Sequence, residues 1–124
     1  MAAPKAPGLT KVEVARTGLQ ERELQALGWE WVAARIEDRT RAHYYPGAAP
    51  ITIKLLAERG TGMLLGGQIV GQEGAGKRID VIATALHAAM TVHQLVNLDL
   101  AYAPPFSPVW DPVLNAARQL LAKL

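Results

Sequence analysis

The stretch from Met63 to Met90 constrains this chain more than any other. Met63-Leu64-Leu65-Gly66-Gly67-Gln68-Ile69-Val70 is apolar, free of proline and bounded by turn residues, which is the pattern of a buried strand. Further on, Ile79, Ile82, Ala83, Leu86 and Met90 recur at helical spacing and predict a helix from Ile79 to Met90. Between the two lies Gly71-Gln72-Glu73-Gly74-Ala75-Gly76-Lys77-Arg78, a glycine-rich loop. Strand, glycine loop and helix in that order is how a phosphate-binding loop is built.

Gly71 to Lys77 does spell G-x-x-x-x-G-K. The position that follows should carry a Ser or Thr hydroxyl to ligate the magnesium on a nucleotide. Arg78 stands there and cannot bind a cation, and Glu73 puts a carboxylate inside a loop meant for phosphate oxygens. No apolar strand ending in Asp follows to hold the metal from the other side. The glycines therefore read as a sharp strand-to-helix turn, and no ATP binding is expected.

A chain of 124 residues, half of them apolar, is one domain with a real core. It has no cysteine, which excludes disulfides and thiol chemistry within it. The net charge of +2 comes from scattered Lys and Arg, without the basic run or stripe that binds nucleic acid. No apolar span approaches membrane length and no signal-peptide core opens the chain, so a cytoplasmic location is expected.

Residues 1–10 hold two prolines and several alanines and read as a flexible lead-in to a domain over 11–124. Thr10 to Ala15 alternates as a short strand, with Val12 and Val14 on one side, and Thr17-Gly18 turns the chain. Glu21 to Leu27 is a helix closed by Gly28, with Leu19 and Leu24 placed as a hydrophobic staple around a poor cap, Gln20. Trp29 to Glu37 is a second strand, with Trp29, Trp31 and Ala33 on one face and Val32, Ala34 and Ile36 on the other. The tryptophans read as core or subunit contact rather than a cofactor platform. Glu37 to Ala42 is a polar turn region, and His43-Tyr44-Tyr45-Pro46-Gly47 an aromatic loop. Ile51, Ile53 and Leu55 mark a third strand, joined through Arg59-Gly60-Thr61-Gly62 to the Met63 strand as a hairpin. Thr91 and Gln94 form a capping box for a short helix to Leu98. Residues 99–110, with Pro104, Pro105 and Pro108, are extended. Asp111-Pro112 then opens a last helix with an apolar stripe of Val113, Ala117, Leu120, Leu121 and Leu124. About four strands and four helices, with hairpin-linked strands, argue α+β: an antiparallel β-sheet with helices packed on it.

Chemistry-bearing residues are scarce. His43, His87 and His93 lack metal-ligand spacing and read as surface or interface histidines, so no metal is expected. Asp80 and His87 lie two turns apart on one helix with no nucleophile near. Tyr44-Tyr45 and Tyr102 differ, because they sit in loops rich in proline and glycine rather than in core-forming elements.

Five separated segments carry a resemblance: Val14-Ala15-Arg16-Thr17-Gly18-Leu19, Ala42-His43-Tyr44-Tyr45-Pro46-Gly47, the run from Gly71 to Asp80, the run from Ala83 to Val92, and the run from Leu100 to Ser107. Together they resemble the C-terminal dimerisation domain of flavin-dependent pyridine nucleotide-disulfide oxidoreductases. The branch is that of coenzyme A-disulfide reductases, NADH oxidases and persulfide reductases. The resemblance covers nearly everything after Lys11 and implies that the glycine loop is a structural turn of the family. It also implies an enzyme using FAD and NAD(P)H, whose two dinucleotide-binding domains and redox cysteine are missing from these 124 residues. The chain is thus expected to be a fragment, or a gene reduced to one domain, without cofactor and without hydride transfer of its own.

In such an enzyme the resemblance implies a homodimer interface and loops laid over the partner subunit's flavin and cysteine. Tyr44 or Tyr45, together with Tyr102, are implied to approach that redox site, where a phenol can donate a hydrogen bond or proton to a leaving thiolate. Spacing does not choose between Tyr44 and Tyr45. Phe106 stands where some relatives carry Tyr, so no hydroxyl acts there. The alternative from another class is a free-standing dimeric module holding a coenzyme A-like or adenine-containing ligand.

Overall fold

The computed structural model describes residues 12–40, 47–72, 74–100 and 111–124. Their order is β1 (Glu13–Gly18), α1 (Glu21–Leu27), β2 (Trp31–Arg39), β3 (Pro50–Glu58), β4 (Leu64–Gly71), α2 (Ala75–His87), α3 (Val92–Val96) and α4 (Pro112–Ala122). The strands form one antiparallel sheet ordered β1-β4-β3-β2, so the α+β architecture read from hairpin-linked alternation stands. The lead-in, Tyr44, Tyr45, His43, Glu73 and Tyr102 lie outside the described residues.

Strand alternation divides the sheet into two unlike faces. Ile51, Ile53, Leu55 and Ala57 of β3, Val32 and Ala34 of β2, and Leu64 and Ile69 of β4 point into the main core. There α2 packs on β1 and β4, α4 packs on β2 and β3, and α3 leans on α4. Full burial of an aliphatic side chain such as Ile53 or Leu120 contributes about 1.5–3 kcal/mol. Among the described residues the opposite face is covered at one end only. There α1 lays Leu24 over Leu56 and Leu65, with Leu19, Trp31 and Ala33 around them. Leu19 and Leu24 thus meet as the staple predicted, and Gly28 closes α1 at φ 73°.

Two glycines in β4 make both faces possible. A Cβ on Gly66 would stand 2.1 Å from the Leu19 carbonyl oxygen, and one on Gly67 would stand 2.9 Å from Ile82 Cδ1. Side chains there would push away the β1–α1 link on one face and α2 on the other.

Several boundaries differ from the sequence reading. β1 runs through Thr17-Gly18 instead of turning there, because Thr17 and Gly18 pair with Gly67 and Gly66. Its apolar side is the open one: Val12 and Val14 are 54% and 74% exposed. Alternation identifies the two faces of a strand without saying which one is buried. β2 starts at Trp31 and continues through Glu37 to Arg39, since Glu37 and Arg39 pair with Thr52 and Pro50. Glu37 to Arg39, the first half of the polar region expected to turn, is edge strand, with Arg35 and Glu37 in an exposed ion pair. α2 begins at Ala75, so half of the glycine loop is helix, and it ends at His87. That end is a Schellman closure: Met90 N–H donates to Ala85 O at 3.0 Å, Ala89 N–H donates to Leu86 O at 3.1 Å, and Ala89 sits at φ 53°. α3 stops at Val96, two residues short of Leu98, behind the predicted Thr91/Gln94 capping box. α4 starts at the expected Asp111-Pro112.

Candidate functional site

Two residues that border the tyrosine-bearing segments in sequence converge on one side chain. Thr40 precedes segment 41–46, and Asp111 follows segment 101–110. Thr40 is buried, its N–H donates to Ala49 O at 2.9 Å, and its Oγ1 accepts from Ala49 N–H at 3.1 Å, closing the base of the first segment. Asp111 caps α4 by accepting from Val113 N–H at 2.9 Å. Between them lies Arg78, on the buried side of the first turn of α2. Its Nε donates to Asp111 Oδ2 at 3.3 Å and its Nη2 donates to Thr40 O at 3.0 Å. A second tether runs parallel, from Asn115 Nδ2 of α4 to Asp38 Oδ2 of β2 at 2.7 Å.

The same helix end carries the glycine-loop motif. Gly76 N–H donates to Glu13 Oε1 at 3.2 Å, so a carboxylate of β1 meets the start of α2 where a phosphate-binding loop would receive its anion. Lys77 points to solvent and Arg78 turns inward. Gly74, at φ 78°, leaves room for that inward turn, since a Cβ there would lie 2.9 Å from Arg78 Nη1.

Elsewhere the sequence candidates stay apart. Asp80 and His87 are exposed on α2 and His93 is exposed on α3. Among the described residues no group of three His, Cys, Asp or Glu side chains could hold a metal. A cavity of about 240 Å³ opens between Gly60, Thr61, Gly62, Thr91, His93, Leu121 and Leu124. It is smaller than the roughly 300 Å³ at which pockets for drug-sized ligands begin. On the other sheet face Glu21 accepts from Trp31 Nε1 at 3.1 Å and pairs with Lys54. The hydrogen bonds from Lys54 and Trp31 hold the Glu21 carboxyl below its ordinary value, against the smaller opposing effect of burial.

This sheet, with its glycine-tied turn and paired segment roots, matches known proteins along most of its length. Residues 8–112 match the family described as pyridine nucleotide-disulphide oxidoreductase, dimerisation domain. The chain belongs to that family. A NAD(P)H coenzyme A polysulfide/persulfide reductase of Pyrococcus horikoshii is 45% identical over 109 residues, 88% of this chain and 24% of the relative. A coenzyme A disulfide reductase of Staphylococcus aureus is 34% identical over 93 residues, 75% of this chain and 21% of the relative. The solved structure of a NAD-dependent persulfide reductase from A. fulgidus superimposes with a TM-score of 0.89 at 42% identity, over 93% of this chain and 22% of that one. The dimerisation-domain chain thus spans about a quarter of the length of these relatives. The resemblance read from the five segments is the family found.

Sequence reading singled out Arg78 only as a residue unfit for magnesium. A sharper signal was present: Arg78, Ile82 and Ala85 share one helix face, and all three are buried. No helix of the described residues is long and apolar enough to cross a membrane.

Proposed function

We propose that this domain is the interface part of a FAD-dependent NAD(P)H oxidoreductase acting on disulfides, persulfides or oxygen. It forms a homodimer and sends its tyrosine segments to the partner subunit's redox centre. The observation that carries the reading is the match over residues 8–112 combined with relatives about four times as long that reduce sulfur compounds. FAD and NAD(P)H belong to the domains outside these residues. Here the start of α2 already meets the Glu13 carboxylate. The flavin would supply electron transfer, while this chain supplies assembly and, through Tyr44 or Tyr45 and Tyr102, hydrogen-bond donors for a departing thiolate. The open sheet face supports assembly into something larger, because Val14 and Val70 pair across strands there while remaining 74% and 43% exposed.

A graft tests the reading. The corresponding quarter of the Pyrococcus horikoshii reductase is replaced by this chain, and persulfide turnover and mass are measured. An active dimer is expected. A folded, flavin-loaded protein with no turnover would sink the proposal.

A further inference from the structure

β2 is an edge strand, and its pairing with β3 decides where its main-chain groups point. Thr40 N–H donates to Ala49 O at 2.9 Å. Bonding alternates along an antiparallel pair, so Asp38, Ile36, Ala34 and Val32 also turn their N–H and C=O toward β3. Ala33, Arg35, Glu37 and Arg39 turn theirs outward. Both ends of this outward row are capped: Lys123 Nζ donates to Ala33 O at 2.9 Å, and Arg39 N–H donates to Asp38 Oδ1 at 2.8 Å. Between the caps, the outward groups of Arg35 and Glu37 meet no partner among the described residues. Their side chains share the open sheet face and are 63% and 69% exposed.

An unpaired edge is a template for another strand. A second copy of β2 fits this one in a single register. Antiparallel pairing about a two-fold axis at Ile36 sets each Arg35 against Glu37 of the partner subunit, outward groups facing outward groups. Opposite charges then stand directly across the seam, which is favourable. An axis at Arg35 or at Glu37 would set that residue against its own copy, like charge on like. An axis between two residues would face outward groups with inward ones.

We propose that the Arg35–Glu37 edge of β2 is the seam of the homodimer, joining two sheets into one. The proposal rests on the homodimer reading above and names its surface.

Charge exchange tests it at exposed positions that leave the core untouched. Arg35→Glu places only carboxylates on the seam, and Glu37→Arg only guanidinium groups. Sedimentation at low salt should show each variant dimerising about tenfold more weakly than wild type, since both cross-strand pairs turn from attraction to repulsion. An equimolar mixture should form a heterodimer of wild-type strength. A dimeric wild type whose two variants dimerise equally well would overturn the seam and leave the homodimer standing. A wild type that stays monomeric would overturn both.

Ile36→Cys checks the register in a chain with no other cysteine. Across the axis the two Cα atoms would lie about 4.5 Å apart, within reach of a disulfide. Oxidation should give a covalent dimer much faster than it does for Val14→Cys on the opposite edge strand. Equal rates for the two would overturn the register, and a misfolded Ile36→Cys would leave the decision to the charge exchange.

Discussion

Glu13 Oε1 accepts a hydrogen bond from Gly76 N–H at 3.2 Å, tying the first strand to the start of the central helix across 63 residues. The contact gives the helix N-terminus a negative partner from within the fold. Glu13→Ala should therefore cost about 0.3–1 kcal/mol in chemical denaturation. Calorimetry with magnesium-ATP should show no saturable heat, with or without Lys77→Ala. Tight binding abolished by Lys77→Ala would restore the phosphate-loop reading.

The β4 glycines differ in what surrounds them. Gly66→Ala drives a methyl into the Leu19 backbone at 2.1 Å, whereas Gly67→Ala meets the movable tips of Ile82 and Leu55 at 2.9–3.0 Å. Overpacking a core costs about 1–3 kcal/mol, and backbone obstruction belongs at or above the top of that range. Thermal melts should rank the wild type first, Gly67→Ala next and Gly66→Ala last. The reverse order of the two variants would contradict the packing described.

Ala89 closes α2 at φ 53°, a conformation in which an L side chain is strained and glycine is not. Ala89→Gly should relieve that strain and stabilise the domain by a few tenths to about 1 kcal/mol, even though glycine loosens the unfolded chain. A lower melting temperature would show that the left-handed cap is not held in solution.

Glu21 links stability to pH. Its carboxyl is held below the ordinary value of 4.5 by hydrogen bonds from Lys54 and Trp31. The folded state therefore favours the ionised form. That contribution is fully present above the unfolded value and is lost as pH falls through the folded one. Glu21→Gln should flatten the loss of stability between neutral pH and the acid side of 4.5. Equal slopes for wild type and variant in urea titrations would remove Glu21 from the acid response.

The parts of this fold legible in the sequence are those written in local chemistry. Asp111-Pro112, the Thr91/Gln94 box, the Leu19/Leu24 staple and the Gly28 closure lie where propensity alone puts them. What escaped depends on distant partners. The polar run at Glu37–Arg39 is strand because β3 pairs with it, and Val14 is exposed because α2 covers the other face. Arg78 hid for the same reason: Thr40 and Asp111, to which it donates, lie 38 and 33 residues away, and a charge on an apolar helix face reads as an interruption until such partners are known.

The tyrosines allow a kinetic test in the grafted enzyme. Tyr102→Phe should preserve folding, dimerisation and flavin content while slowing turnover of a disulfide or persulfide about tenfold to a thousandfold, the range for one transition-state hydrogen bond. Tyr44→Phe and Tyr45→Phe should separate the role that spacing leaves open. The active one should combine with Tyr102→Phe less than additively if both serve one leaving group.

Association is the central claim, and light scattering on the chain at micromolar and higher concentrations tests it most directly. The account predicts a particle of twice 13.3 kDa that does not grow further with concentration, as a closed two-fold interface requires. A monomer of 13.3 kDa persisting at the highest concentration would contradict it.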